Sequence, residues 1–184
     1  NSDRYQYVLP YYDFSRSFLD NNNIASFNFI SQGDNILKDT NSLRSRMINN
    51  LDIQSYDYYS KIGIKNNFNY YLKNTISSGK NNSEYDSSPD VKLMNIFEFV
   101  SSFPLINKNQ NFINYLNPKA SFRINPSSMK SYKNENRRIN NENIFDMNRL
   151  GLIDTLEAGE NLTLGLEYKK EKIDNINKYF ELKL

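Results

Sequence analysis

The chain has 184 residues, of which 23 are basic and 21 acidic, so its formal net charge is only +2. This near-neutral balance, with Lys and Arg scattered along the chain, argues against electrostatic binding of nucleic acid. The chain contains no Cys and no His, which excludes disulfides, thiolate metal sites and histidine-based catalysis within this stretch. No apolar run reaches the length of a membrane-spanning helix, but a membrane barrel keeps a polar average composition and is not excluded.

Apolar residues recur at alternate positions along most of the chain. The segments, in chain order, are Tyr5–Tyr11, Ala25–Phe29, Met47–Ile53, Ile62–Leu72, Val91–Phe99, Pro118–Ile124, Leu162–Tyr168 and Phe180–Leu184. Period two places one set of side chains on one face of a strand and the other set on the opposite face. The pattern predicts about eight strands of about seven to twelve residues, close to the length that crosses a bilayer at a tilt.

Charged residues avoid the apolar side of the clearest alternating segments. Lys65, Lys119 and Arg123 all fall on the opposite, polar side. Because a Lys or Arg that faces lipid at mid-membrane costs about 2–4 kcal/mol, the pattern fits an apolar face toward lipid and a polar face toward a lumen. A soluble β-sandwich with one face on its core gives the same alternation, so this alternative stays open.

Polar segments of unequal length separate the predicted strands. A long outer loop is predicted for residues 127–160, and a second segment, Ser77–Asp90, is rich in Gly, Ser and Asn. Long loops on one rim and short turns on the other are typical of outer-membrane barrels. We therefore predict an all-β, antiparallel, up-and-down transmembrane β-barrel segment. Residues 1–184 are expected to form a single partial barrel domain, an incomplete and curved part of a larger barrel cut from a longer chain.

No constellation of side chains in the sequence indicates catalysis. Carboxylate pairs such as Glu157 with Glu160 have the spacing of ordinary solvated surface charges, and there is no Gly-rich phosphate loop. We therefore predict that the chain is not an enzyme, and that it has no catalytic residues, no metal site and no cofactor. A metal-free hydrolase is the weakest of the alternatives.

Three segments resemble the LptD family, the organic-solvent-tolerance proteins of the outer membrane. They are Arg4–Pro10 followed by Tyr12–Phe14, then Asp39–Arg44, and then a long stretch from Leu116 to Gly165 with Phe145-Asp146-Met147-Asn148-Arg149 and Leu162-Thr163-Leu164-Gly165 inside it. The long stretch is similar to the family's strand, long outer loop with an aromatic-Asp-x-x-Arg core, and descending strand. The order and separation of the segments carry the resemblance, which covers most of the chain but only the middle-to-late part of the family's barrel.

The resemblance implies a function in lipopolysaccharide transport and its insertion into the outer leaflet, in the outer membrane of a Gram-negative bacterium. It implies four partners: an LptE-like plug lipoprotein, a periplasmic bridge protein that contacts an N-terminal domain, lipopolysaccharide itself and membrane lipid. Many members link their two domains through cysteines, which this chain lacks. A porin- or receptor-type barrel for other solutes remains the alternative within the membrane class.

Two groups of residues are candidates for functional roles. If Lys65, Lys119 and Arg123 face a lumen, they either pair transiently with phosphates or sugars of lipopolysaccharide or only keep the lumen hydrated. Asp146 and Arg149, in the predicted outer loop, are expected to pair with each other and to shape the outer cap. An exposed pair adds little stability, so its predicted role is loop geometry.

Overall fold

The computed structural model describes residues 5–19, 24–129 and 137–184, and within these ranges it contains strands and turns only. The strands are β1 (Gln6–Leu19), β2 (Ala25–Lys38), β3 (Leu43–Ser55), β4 (Tyr58–Tyr59), β5 (Lys65–Lys80), β6 (Asp90–Ser102), β7 (Leu105–Lys108), β8 (Phe112–Asn125), β9 (Gly159–Lys172) and β10 (Asn175–Lys183). Antiparallel hydrogen bonds join them in the order β1-β2-β3-β5-β6-β8-β9-β10, with the short β4 and β7 paired to β5 and β8. The predicted all-β, antiparallel, up-and-down fold is confirmed, as one sheet that does not close on itself. In the described ranges no helix has the length and apolar character needed to span a membrane.

Each predicted alternating segment lies in or overlaps one of the long strands, but the predicted strand lengths were too short. All the long strands except β10 contain 13–16 residues. Residues 77–80, predicted as loop, continue β5 and pair with β3. Polar residues extend a strand readily because the backbone ladder, not the side chains, makes its hydrogen bonds. At the other end of β5, Ile62 and Ile64 lie in a turn in which Gly63 has a positive φ of 86°.

The β8–β9 connection, which is the longest between neighbouring strands, emerges at the same rim of the sheet as the β5–β6 connection. Residues 81–89 join β5 to β6, and residues 126–158 join β8 to β9, so both follow strands that run in the same direction. We call this edge the loop rim, and the opposite edge, where residues 56–64, 103–111 and 173–174 reverse the chain, the turn rim. Both predicted polar segments lie at the loop rim, but residues 56–64 and 103–111 at the turn rim are each as long as residues 81–89, so long loops are not confined to one rim. Residues 130–136 of the predicted outer loop lie outside the described part.

The register of the sheet sorts side chains onto two chemically different faces. We call the apolar face the one that carries Phe68, Phe97, Phe122 and Leu162, and the polar face the one that carries Lys73, Glu98 and Arg123. On β2, β3, β6 and β8, strands that the structure describes in full, no charged side chain lies on the apolar face. Charged side chains lie on the apolar face at the edge strand β1, at the loop-rim end of β5 and near both ends of β9. They are Arg16, Lys80, Glu160, Lys170 and Lys172.

Large side chains on the apolar face remain exposed in the sheet. Phe97 is 53 % exposed and Leu164 is 71 % exposed, and aromatic rings on neighbouring strands pair across this face. Tyr70 packs against Phe97 with ring centroids 4.7 Å apart, and Phe68 packs against Phe99 at 4.9 Å. Such pairs stabilise cross-strand contacts, but they leave the outer side of the rings uncovered.

Candidate functional site: the polar face and its covering loop

The polar face is covered by part of the β8–β9 connection. Residues 137–158, which we call the covering loop, fold back over the sheet through hydrogen-bonded turns, including Ile144 N–H to the Asn140 carbonyl at 3.0 Å. Leu156 of this loop is fully buried and packs with Met94 and Ile96 of β6. Leu150 and Leu152 are also buried, so the loop supplies apolar side chains to a face whose strands are mostly polar. Burial of these side chains, at about 1.5–3 kcal/mol each, holds the loop on the sheet.

A partly buried carboxylate of the covering loop binds two arginines. The Glu157 carboxylate accepts hydrogen bonds from Arg123 Nη1 at 3.0 Å, from Arg149 Nε at 2.9 Å and from Arg149 Nη2 at 2.5 Å. The Glu157 backbone carbonyl accepts two more, from Arg123 Nη2 at 3.2 Å and from Asn125 Nδ2 at 2.8 Å. Arg123 is 3 % exposed and Arg149 is 7 % exposed, so the ion pairs are shielded from water. Charge-assisted hydrogen bonds of this geometry are stronger than neutral ones.

The predicted ion pair between Asp146 and Arg149 was wrong, because Arg149 pairs with a different carboxylate. Arg149 binds Glu157, whereas Asp146 is exposed and its backbone N–H donates to the Asn143 carbonyl at 2.9 Å within a turn. The two arginines reach Glu157 because the loop folds inward instead of standing out as a cap. The interpretation of Glu157 as a solvated surface charge was therefore also wrong, and its sequence spacing from Glu160 carries no sign of burial. A role of Arg149 and Asp146 in loop geometry stays a prediction.

The three predicted cations Lys65, Lys119 and Arg123 all lie on the polar face, in different surroundings. Lys65 lies at the turn rim and pairs with Asp57 at 2.8 Å, with both side chains about one-third exposed. Lys119 Nζ lies over the Phe145 ring of the covering loop, 4.2 Å from its centroid. Arg123 is buried beneath the loop. The structure brings Lys119 and Arg123 together under one loop and places Lys65 apart from them.

A further cation under the covering loop, Lys73 of β5, was not singled out from the sequence. Its ammonium donates to the backbone carbonyl of Ile153 at 2.6 Å and to that of Leu152 at 3.4 Å. The side chain is 3 % exposed, so these carbonyls replace water around the charge. The only sequence signal for this role was the position of Lys73 on the polar side of a clean alternating segment.

Phe145 reaches the sheet because β9 presents a glycine opposite it. A Cβ on Gly165 would lie 2.7 Å from the Phe145 ring, a distance that real Cβ contacts do not show. The absence of a side chain therefore lets the ring lie against the backbone of β9, next to Lys119. The aromatic-Asp-x-x-Arg segment thus contributes its aromatic residue and its arginine to the polar face.

The charge of Glu157 is set by its two arginine partners. Burial raises the pKa of this carboxyl, but hydrogen bonds from Arg149 and Arg123 outweigh burial and bring the pKa below its ordinary value of 4.5. A lowered pKa in the folded state means that the group stabilises the loop above pH 4.5 and that this contribution is lost as the pH falls through the folded value.

We therefore expect the covering loop to loosen in acid and to stay closed at neutral pH. Hydrogen exchange of the amides of residues 150–157 is expected to accelerate as the pH falls below 4.5 and through the lowered pKa of Glu157, beyond the intrinsic pH dependence of exchange. In Glu157→Gln this additional acceleration should be absent, because no proton is taken up at this position. Equal acid responses in both proteins would assign the effect to another carboxyl group.

The remaining polar chemistry offers no metal site in the described ranges. No group of three or more Asp or Glu side chains there is arranged to hold a metal ion. The side chains gathered under the covering loop bind one another through ion pairs and hydrogen bonds, which is an arrangement for holding a loop or an anion.

Comparisons with protein families and with curated proteins gave no match for this chain. No protein-family model matches the sequence, and no curated protein is significantly similar to it. The function must therefore be argued from the two faces of the sheet and the covering loop.

Proposed function

We propose that this sheet is part of the wall of an outer-membrane β-barrel, with the apolar face toward lipid and the polar face toward a lumen. The observation that carries the proposal is the contrast between the faces. Four fully described strands have no charged side chain on the apolar face, while the polar face gathers Lys73, Glu98 and Arg123. A soluble sandwich buries its apolar face against a second sheet, whereas Phe97 and Leu164 are largely exposed here.

The apolar band has about the height of a bilayer core. On β6 it runs from Val91 to Phe99, which is about 27 Å along a strand and about 20 Å after a tilt of about 40°. The bands of outer-membrane barrels are about 25 Å tall.

The band also crosses the strands obliquely. Leu162 of β9 and Phe68 of β5 lie in one row across the sheet. Leu162 pairs with Phe122 of β8, Phe122 pairs with Phe99 of β6, and Phe99 pairs with Phe68. From this level the apolar residues of β5 run toward the loop rim, to Leu72 and Ile76, while those of β9 run toward the turn rim. Strands that tilt against a flat bilayer produce such a shift, because closing a barrel requires a stagger in one direction.

Polar side chains on the apolar face form hydrogen bonds with one another. Ser31 Oγ donates to Asn49 Oδ1 at 2.7 Å, Asn49 Nδ2 donates to Asn74 Oδ1 at 3.2 Å, and Asn74 Nδ2 donates to the Lys92 carbonyl at 3.2 Å. This row lies between apolar rows of β2, β3 and β5. In hydrocarbon an unpaired polar group costs several kcal/mol, so a connected row is the form in which amides are tolerated there.

We further propose that the barrel transports lipopolysaccharide to the outer leaflet, as in the LptD family. The supporting observation is the order of the similar segments, which lie on β1, on β8, in the covering loop and on β9. In this proposal the polar face carries the phosphorylated sugar part of the lipid while the acyl chains leave toward the bilayer. A plug lipoprotein and a periplasmic bridge protein are the corresponding partners, and the outer membrane is the location.

A porin- or receptor-type barrel for other solutes is the second candidate. The inward fold of the covering loop favours it, since loops that fill part of the lumen occur in barrels that pass small solutes.

Depletion of the intact protein in its host tests both levels of the proposal. We expect the protein in the outer-membrane fraction, with migration on gels that changes on heating, and we expect newly made lipopolysaccharide to accumulate inside the cell on depletion. Recovery of the folded protein from the soluble fraction without detergent would refute the barrel. An outer-membrane protein whose depletion leaves lipopolysaccharide delivery unchanged would retain the barrel and refute the transport of lipopolysaccharide in favour of other solutes.

A further inference from the structure

The covering loop occupies cations of the polar face that a ligand would otherwise reach. Lys73 binds two of its backbone carbonyls, Arg123 binds the carboxylate and carbonyl of Glu157, and Lys119 lies over the Phe145 ring. A cation can exchange water or a bound anion for other partners, namely carbonyl oxygens, carboxylate oxygens or the face of an aromatic ring. The covering loop therefore acts as an internal ligand for three basic side chains of the polar face.

The hydrogen-bonding capacity of Arg123 is not used up by the loop. Its Nε is buried and has no hydrogen-bond partner, although both terminal nitrogens bind Glu157. A guanidinium presents its donors in a planar fork that fits two oxygens of a phosphate or carboxylate. A phosphate that approaches Arg123 thus finds a donor that Glu157 leaves free.

The position of Arg149 lowers the cost of releasing the loop. Arg149 and Glu157 both belong to the covering loop and bind each other through two hydrogen bonds. When the loop moves away from the sheet, this pair moves with it, so the carboxylate is never left without a cation. On the sheet, Arg123 then loses the carboxylate and carbonyl of Glu157. Lys73 loses its two loop carbonyls, and Lys119 loses the Phe145 ring. Cations that lose these partners are less stable until other groups replace them. An incoming anion would remove that penalty.

We propose that the covering loop is an autoinhibitory strap over an anion-binding track formed by Lys73, Lys119 and Arg123, and that a phosphorylated amphiphile displaces Glu157 from Arg123. This inference rests on the proposed barrel, and it identifies the phosphate of the substrate as the group that opens the covering loop. The strap closes the track when no substrate is present, and it yields to a ligand that carries phosphate. A ligand can open the loop only if it binds the open state more tightly than the closed state.

The 184 residues contain no cysteine, so a thiol introduced here reports opening of the loop in an intact protein whose cysteines outside these residues are replaced by serine. Leu156→Cys places it at a fully buried position of the strap, and Leu152→Cys gives a second reporter, so that a local effect of one substitution is recognised. The intact protein, in detergent micelles, is treated with a maleimide. The probes are lipid A with both phosphates and the same lipid without phosphates.

We expect slow labelling in the unliganded protein and an acceleration of about tenfold or more in the Glu157→Gln background, since a charge-assisted contact to Arg123 is lost. The phosphorylated probe should accelerate labelling by a similar factor, and the dephosphorylated probe should not. In Arg123→Gln labelling should be fast at the outset and insensitive to either probe. Glu160→Gln, which neutralises an exposed carboxylate next to the strap, is the matched control and should label like the unsubstituted reporter.

Two results would overturn the strap. One is unchanged labelling in Glu157→Gln in a protein whose heat-modifiable migration shows that it is folded. The other is equal acceleration by both probes, which would assign opening to the acyl chains. Lipopolysaccharide delivery that stays normal when the protein is depleted, together with phosphate-dependent opening, would reject the transport function and retain the strap. Delivery that fails on depletion, together with an unresponsive loop, would reject the strap alone.

Discussion

Replacing Phe97 by arginine is expected to destabilise the membrane-inserted protein by more than about 1 kcal/mol, since an arginine that faces lipid costs about 2–4 kcal/mol at the bilayer midplane and about 0–1 kcal/mol near the interfaces. Phe97 lies in the apolar band of β6, where it packs on Tyr70, and it is 53 % exposed in the sheet. If this face meets hydrocarbon, the arginine must lose its hydration or distort the bilayer. If the face meets water, an exposed substitution of this kind changes stability by only about 0.5 kcal/mol in either direction.

The matched control for this prediction is Gln54→Arg. Gln54 lies on the polar face at nearly the same height, one residue from Ile53, which is in the row of Phe97. It is exposed and binds Asp52, so an arginine there finds a carboxylate. Folding into vesicles, followed by reversible denaturant titration, measures both variants. Equal stabilities for the two would contradict a lipid-facing assignment of the apolar face.

Replacing Glu157 by alanine is expected to cost about 3–5 kcal/mol at the covering loop, because two buried arginines lose their carboxylate. Replacing Arg123 by methionine is expected to cost less, about 1–3 kcal/mol, because Glu157 keeps Arg149 and the methionine still fills the space. The asymmetry follows from the geometry, in which one carboxylate serves two cations.

Hydrogen exchange of residues 150–157 measures this loss, as the free energy of loop opening. The measured loss cannot exceed the free energy that holds the loop closed, since a released loop exposes its charges to water instead of burying them. The variant with both substitutions separates the contributions, and its loss should fall short of the sum of the two single losses. Equal losses for the two single variants would contradict the bridging role of Glu157.

The parts of this fold that were predictable are those that depend on local pattern. Alternation at Leu162, Leu164 and Leu166 places these side chains on one face regardless of what the sheet packs against, because successive side chains of a strand point to opposite faces. The polar placement of Lys119 and Arg123 follows from the same rule. Positive φ angles at Asn41 and Asn81 agree with the tolerance of asparagine for left-handed backbone at turns.

The strand ends and the site were less predictable, for different reasons. The C-terminal end of β5, residues 77–80, has the composition of a loop, and its pairing with β3 shows that it continues the strand. Glu157 lies 34 residues from Arg123 along the chain, so nothing in its neighbourhood marks its partner. The aromatic-Asp-x-x-Arg segment indicated that Arg149 matters, but it pointed to Asp146 as the nearer carboxylate.

By itself, the sequence determined the class of the fold and the division of side chains between two faces, since both depend on a period of two that each strand expresses alone. Only the tertiary structure decided that residues 137–158 turn inward, that Gly165 admits Phe145, and that Glu157 joins Arg123 to Arg149. Those contacts depend on which distant residues the sheet brings level with one another. Register is a property of paired strands, and no single strand carries it.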